Sequence, residues 1–299
     1  MRASPLVLVL LAAVACAARP VAAQPAERLL FVSVLDQAGA PVKGLGPDAF
    51  VVREDGRQVE VLRVSPATQP VDLAILVDNS QAATPYIQDM RDALEAFINR
   101  MARNGHHVAT IGLADRPTIL TDYTNNPALA AKGVNRLFAQ PGAGTTLLDA
   151  IVDTSRGLQK RENERRVMLV VTSEGTDFSV PNHPRALDAI KASGAMFNAL
   201  VITRPGGADL TTDEGRSRGI VLDEGPRNSG GRTTQLLSSM ALKGELDRVA
   251  TELESQYQLV YARSASLIPA NKIEVSVKQP GLTVRSTPAS VKSPSPSGE

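Results

Sequence analysis

Apolar residues run without interruption from Leu73 to Val77. A strand with no polar alternation is buried on both faces, as in the middle of a parallel sheet. The run stops at Asp78, Asn79 and Ser80, three turn formers with side-chain oxygens. Val167 to Val171 is a second run of the same kind, and 108–113, 118–123 and 196–202 read as further strands. Between the strands, apolar residues fall at helical spacing. Ile87, Met90, Leu94, Phe97, Ile98 and Met101 line one face of a helix predicted over 85–103. Helices are also expected over 127–138, 147–159, 184–192 and 243–255. Strands alternating with helices predict right-handed crossovers, hence an α/β fold with a doubly wound, mostly parallel sheet.

Both ends of the chain break this alternation. Strands are expected over 29–35, 50–53 and 58–64, the last two joined at Asp55-Gly56, a hairpin signal. Residues 257–261 read as the strand that follows the last helix. Two more short strands, 272–277 and 282–285, flank Pro280-Gly281. Neither end is long enough for a stable sheet alone, so the two are expected to pair in one small β domain. The expected organisation is a signal peptide over 1–23, a β unit over 29–65, an α/β domain over 70–264, C-terminal strands over 270–286 and a disordered tail over 287–299. Residues 205–231 are Gly-rich, charged and aperiodic, and are expected to form a long mobile loop.

Composition narrows the partners. Arg2, the apolar stretch Leu6–Ala15 and Val21-Ala22-Ala23 form an export signal, so the mature chain is expected to be periplasmic or secreted. Cys16 is the only cysteine; a lipid anchor there is the minor alternative to its removal with the leader. No later run is long enough to cross a bilayer. A formal charge of +1, and 3% aromatics without Trp, speak against a nucleic-acid partner. Arg161 to Arg166 is a charge run read as a solvated turn.

Three segments are expected to meet beyond the carboxyl ends of the parallel strands, where open α/β sheets bind their ligands. They are Asp78-Asn79-Ser80-Gln81-Ala82, the loop around Thr145, and Ser173-Glu174-Gly175-Thr176-Asp177. All carry oxygens of the kind hard cations prefer. The bland reading is that Asp78, Asn79, Ser80, Thr145 and Thr146 turn the chain and cap helices.

This order and spacing resembles a von Willebrand factor type A domain, over roughly 71–263. That family carries Asp-x-Ser-x-Ser after its first strand, a Thr in a later loop and an Asp after its fourth strand. Gly144-Thr145-x-Leu147-x-Asp149-Ala150 and Val170-Val171-Thr172-Ser173-Glu174-Gly175 resemble the later two segments. The flanks, Leu45–Gly56 and 257–282, resemble those of exported bacterial proteins with this domain. The resemblance implies a Rossmann-like fold and a metal-ion-dependent adhesion site. Asp78, Ser80, Thr145 and Glu174 would be its Mg²⁺ ligands, and Asn79, Gln81, Thr146 and Asp177 would meet a protein partner. Two departures weaken the set: Ala82 stands where the family has a second Ser, and Glu174 where it has Asp. Weak or absent Mg²⁺ binding is therefore expected. The implied function is a non-enzymatic protein-binding module. Two alternatives stay open: a metal-assisted hydrolase with Glu174 or Asp177 as general base, and a metal-independent scaffold using the β unit or 205–231.

Overall fold

The computed structural model describes residues 27–203, 210–263 and 270–291. The expected leader with Cys16 and the stretch 292–299 lie outside these residues. The chain begins with β1 (Glu27–Leu35), β2 (Phe50–Glu54), β3 (Arg57–Val59) and β4 (Val61–Pro66). Then follow β5 (Val71–Val77), α1 (Ile87–Arg103), β6 (His107–Gly112), β7 (Thr118–Thr124), α2 (Pro127–Asn135) and α3 (Leu147–Gln159). Next come β8 (Arg165–Ser173), α4 (His183–Ser193), β9 (Met196–Ile202), α5 (Asp213–Ser229), β10 (Thr233–Leu236) and α6 (Leu242–Leu253). The last strands are β11 (Tyr257–Ala262), β12 (Ile273–Val277), β13 (Thr283–Ser286) and β14 (Ser290–Val291).

The central sheet has the order β10-β9-β8-β5-β6-β7. It is parallel except for the antiparallel edge strand β7. The fold is thus α/β, with a mostly parallel sheet between helices. β5 and β8 sit side by side in its middle, which is why both carry an unbroken apolar run, 73–77 and 167–171. Leu73, Ile75 and Val77 of β5 face the core shared with α1, α2 and α6. Ala74 and Leu76 face the core shared with α3, α4 and α5. A polar residue substituted anywhere from Leu73 to Val77 would therefore be buried, whichever face it met.

Residues 213–229 are a helix, not part of a mobile loop. The stretch 204–209 falls outside the described residues. Thr212 caps α5 through Gly215 N–H at 3.0 Å, and Gly230 ends it in the left-handed conformation. Its buried positions are Arg218, Val221, Leu222, Gly225, Pro226 and Ser229. The spacing is helical but the residue types are not those of an apolar stripe. Gly225 lies where a Cβ would come within 2.8 Å of the Phe197 ring, so the helix packs close to β9. Pro226 cannot donate to the Leu222 carbonyl; the Thr233 hydroxyl does so instead.

The β unit is built from both ends of the chain. One antiparallel sheet has the order β13-β1-β11-β4, with β14 also paired to β1. A second has the order β12-β2-β3. Leu30, Val32, Phe50, Val52, Leu259 and Tyr261 pack between the two. Asp55 and Gly56 turn the β2–β3 hairpin, both at positive φ. β11 belongs to this unit, which corrects its placement in the α/β domain. Its tyrosines explain the choice: Tyr257 donates to Val42 O at 2.8 Å and Tyr261 to Glu54 at 3.0 Å, both in the β unit. The disordered tail does not begin at residue 287 either. Thr287 is buried and exchanges two bonds with Phe31, through its N–H and its hydroxyl.

At the amino edge of the central sheet, Asp72 is fully buried among Arg161, Asn163 and His107. Arg161 also lies 4.3 Å over the Tyr123 ring. Hydrogen bonds and the Arg161 charge outweigh the opposing effect of burial, the largest single one, and hold the Asp72 carboxyl below its usual range. Nearby, His106 Nδ1 accepts the Val71 N–H at 3.2 Å, so that nitrogen must be unprotonated. Burial, then the Arg165 charge, lowers the His106 pKa; Glu254 opposes and His107 adds to the fall. A lowered histidine contributes stability that is complete above its ordinary value of about 6.5 and is lost as pH falls through the folded value. The urea midpoint is therefore expected to drop between pH 7 and pH 5. His106→Gln, which keeps a neutral acceptor, should flatten that drop. Asp72 acts only at lower pH, below about 3.8. An equally steep drop in His106→Gln would refute the assignment.

Candidate functional site

The three oxygen-bearing segments meet at the carboxyl edge, and hydrogen bonds stitch them together. Gln81 N–H donates to Ala143 O at 2.9 Å, joining the first to the second. Thr145 N–H donates to Thr176 O at 3.0 Å, joining the second to the third. Ser173 N–H donates to Asp78 Oδ2 at 3.0 Å, joining the third to the first. The edge follows from the topology: β5 and β8 end side by side, and the loops leaving them have nowhere else to go.

Asp78 is buried, and its carboxylate is spent on its own chain. Oδ1 accepts Ser80 N–H at 3.0 Å. Oδ2 accepts Ser173 N–H at 3.0 Å, the Ser173 hydroxyl at 2.8 Å and the Thr172 hydroxyl at 3.2 Å. Ser80 and Thr145 are also buried. Ser80 Oγ has no hydrogen-bond partner, whereas the Thr145 hydroxyl lies 3.4 Å from Thr176 O. Glu174 is 8% exposed. Ala82 presses its methyl on the third segment, close to the Gly175 backbone.

Three of the four residues expected to meet a partner are turned inward. Asn79 is a clamp: Oδ1 accepts Leu113 and Ala114 N–H at 2.8 and 2.9 Å, and Nδ2 donates to Phe138 O at 3.3 Å. Thr146 donates its hydroxyl to Leu113 O at 2.8 Å. Asp177 is buried and accepts Ser179 N–H at 2.9 Å. Burial raises the Asp177 pKa, against the opposing effects of Ser179, Arg218 and Thr145. Only Gln81 is exposed, and its side chain accepts Gly142 N–H. Oxygen-bearing residue types announce a bond, but not whether it points to solvent or to the next loop.

One residue of the site was not anticipated. Arg218, from α5, reaches under the edge and is 4% exposed. Its Nη2 donates to Ser173 O at 2.6 Å and to the Thr172 hydroxyl at 2.9 Å. Its Nε lies 3.8 Å from Asp177 Oδ2. Thr212-Asp213-Glu214 at one end and Gly230-Gly231 at the other are start and stop signals from which α5, and so Arg218, is readable. Among the described residues no group of three or more His, Cys, Asp or Glu side chains is placed to hold a metal ion.

Above this buried layer lies an open groove of about 530 Å³, lined by Ser80, Gln81, Ala82, Gly144, Thr176 and Phe178 among others. Large apolar side chains stand exposed on the loops around it. Phe138 lies 5.0 Å under the Arg91 guanidinium, Phe178 lines the groove and Val180 is 90% exposed. Leu237 and Met240 are exposed after β10, on the same edge.

Residues 73–176 match the family model of the von Willebrand factor type A domain. The match runs from Leu73 in β5 to Thr176, and so takes in the first two segments and all of the third but Asp177. Among solved structures, the chain is similar to the conserved hypothetical protein BatB of Bacteroides thetaiotaomicron. The two are 16% identical over 62% of this chain and 100% of that one, with a TM-score of 0.47. It is also similar to the vWF domain of the type V pili tip protein Mfa5 of Porphyromonas gingivalis, at 12% identity over 62% and 96%, with a TM-score of 0.47. No curated protein matches the chain. No helix among the described residues is long and apolar enough to cross a membrane.

Proposed function

We propose that the chain is an exported, non-enzymatic protein-binding module whose partner docks on the carboxyl edge of the central sheet. The observation that carries this is exposed Phe178 lining the groove over Ser80 and Gly144, with Val180, two residues on, and Phe138, ahead of Gly142, also exposed. Exposed aromatic and aliphatic side chains at the rim of a concave surface are the usual anchors of a protein interface. The von Willebrand match over 73–176 supports the same reading. Recognition here runs through apolar contact and loop backbone, because Asn79, Thr146 and Asp177 are bonded inward. The general bases a hydrolase would need, Glu174 and Asp177, are buried and are not among the residues that line the groove.

The test is quantitative cross-linking in the native envelope, comparing the wild type with the double substitution Phe178→Ser and Val180→Ser. Both side chains are exposed, so the fold and melting temperature should hold. One protein enriched by the wild type should fall at least tenfold with the double variant. Equal enrichment by both chains would remove this edge as the docking face.

A further inference from the structure

We infer that Arg218 supplies the positive charge of the carboxyl edge, so that this adhesion-type site is built to work without a divalent cation. The residues present do not fit a metal. A hard cation such as Mg²⁺ needs several oxygens in near-octahedral array, with carboxylates free to turn toward it. Asp78 is not free: its two oxygens take four donors from Ser80, Thr172 and Ser173. Ala82 offers a methyl where a hydroxyl is needed. Among the polar side-chain atoms of the edge, Ser80 Oγ, Asp177 Oδ2 and Arg218 Nε are buried without hydrogen-bond partners. The last two face each other at 3.8 Å.

The guanidinium does the work a bound cation would do. It lies against Asp177, and it is linked to Asp78 through the Thr172 hydroxyl, which takes a bond from Arg218 and gives one to Asp78. It also holds the Ser173 carbonyl, in the segment that carries Glu174. Asp177, Asp78 and Glu174 are the three carboxylates whose charges act on it. Buried carboxylates are stable only when a cation or several donors compensate them. Here both come from the chain itself, and arginine is the suitable residue: always charged, and with a planar fork that reaches a hydroxyl, a carbonyl and a carboxylate at once. A metal entering the edge would have to share its carboxylates with a buried like charge.

This inference concerns the charge of the edge and holds whether or not a protein partner docks there. It is tested by titration calorimetry of the full chain with MgCl₂ and MnCl₂, beside melting curves at millimolar metal. The wild type should give no saturable heat and no metal-dependent shift in melting temperature. Arg218→Met should lose stability and recover part of it with Mn²⁺, with a saturable heat that the wild type does not give. Arg218→Lys, which keeps the charge, should remain insensitive to metal. If Arg218→Met does not fold in buffer, refolding it with and without Mn²⁺ is the readout, and yield only with Mn²⁺ supports the assignment. Saturable one-to-one binding by the wild type that Asp78→Asn abolishes would overturn it. So would an Arg218→Met chain, folded or refolding, that responds to metal no more than the wild type.

Discussion

Replacing Arg165 with methionine is expected to lower the unfolding free energy by about 3 kcal/mol and to uncouple the two halves of the molecule. Arg165 opens β8, in the middle of the central sheet, yet its guanidinium serves the joint with the β unit. Nη1 donates to Ala67 O at 3.3 Å and Gln69 O at 2.6 Å, in the link between β4 and β5. Nη2 donates to Leu253 O at 2.7 Å and Gln256 Oε1 at 3.0 Å, between α6 and β11. The cation lies 5.3 Å over the Phe31 ring of β1. Both chain crossings between the halves are thus held by one side chain. Hydrogen bonds to a charged group contribute roughly 1.5–3 kcal/mol each, so four lost bonds cost at least ~6 kcal/mol. Against this stands the burial of the charge, which pulls the arginine down to about 10. Removing that penalty returns ~3 kcal/mol. The bonds win. Urea unfolding followed at two probes, one in each half, should change from one transition to two. A loss below about 0.5 kcal/mol, with one transition kept, would show that the joint does not depend on Arg165.

The same residue shows what the sequence hides. A charge run before a strand reads as solvated, and Arg161 to Arg166 was expected to be a turn in water. In the structure Arg161 pairs with buried Asp72, and Arg165 enters the joint. A charge with enough internal acceptors is no longer a surface signal. The α5 helix was hidden for the opposite reason. Its inward stripe is helical in spacing, but only Val221 and Leu222 in it are large and apolar, and Arg218, Gly225, Pro226 and Ser229 break the apolar pattern. β5 and β8 were plain because burial on both faces makes their middles, 73–77 and 167–171, apolar without interruption. β11 was legible as a strand but not in its partner. It follows a helix, as the next strand of an alternating fold would, and only the bonds of Tyr257 and Tyr261 reveal where it goes. The carboxyl edge was legible in its segments and their convergence, because turn formers end the buried strands. The direction of each side chain there was not, and Arg218 was missed with its helix.

Asp78→Ala is expected to destabilise the chain by roughly 3–5 kcal/mol, the usual cost of removing one partner from a buried charged network. Two readings of this residue predict opposite signs. If Asp78 were chiefly a ligand waiting for a cation, removing it would take one carboxylate out of a crowd containing Asp177 and Glu174. The metal-free chain would then gain stability. The bonds at Asp78 argue for the reverse. Its loss leaves Ser80 N–H, Ser173 N–H and the Ser173 and Thr172 hydroxyls without their acceptor, all beneath the groove. It also withdraws one of the carboxylates that balance Arg218. Buried donors left unpaired cost about 1–3 kcal/mol each, and the Ser173 and Thr172 hydroxyls can recover part of this by turning. Asp78→Asn should recover little, because its amide presents two hydrogens to a site composed of donors. The measurement is urea unfolding in EDTA, with hydrogen exchange at the Ser80 and Ser173 amides. Both amides should exchange faster in each variant, while the amides of β1, in the other sheet, keep their protection. A variant more stable than the wild type in EDTA would show that Asp78 is held under repulsion, and that the bonds drawn to Ser80, Thr172 and Ser173 do not set the shape of this edge.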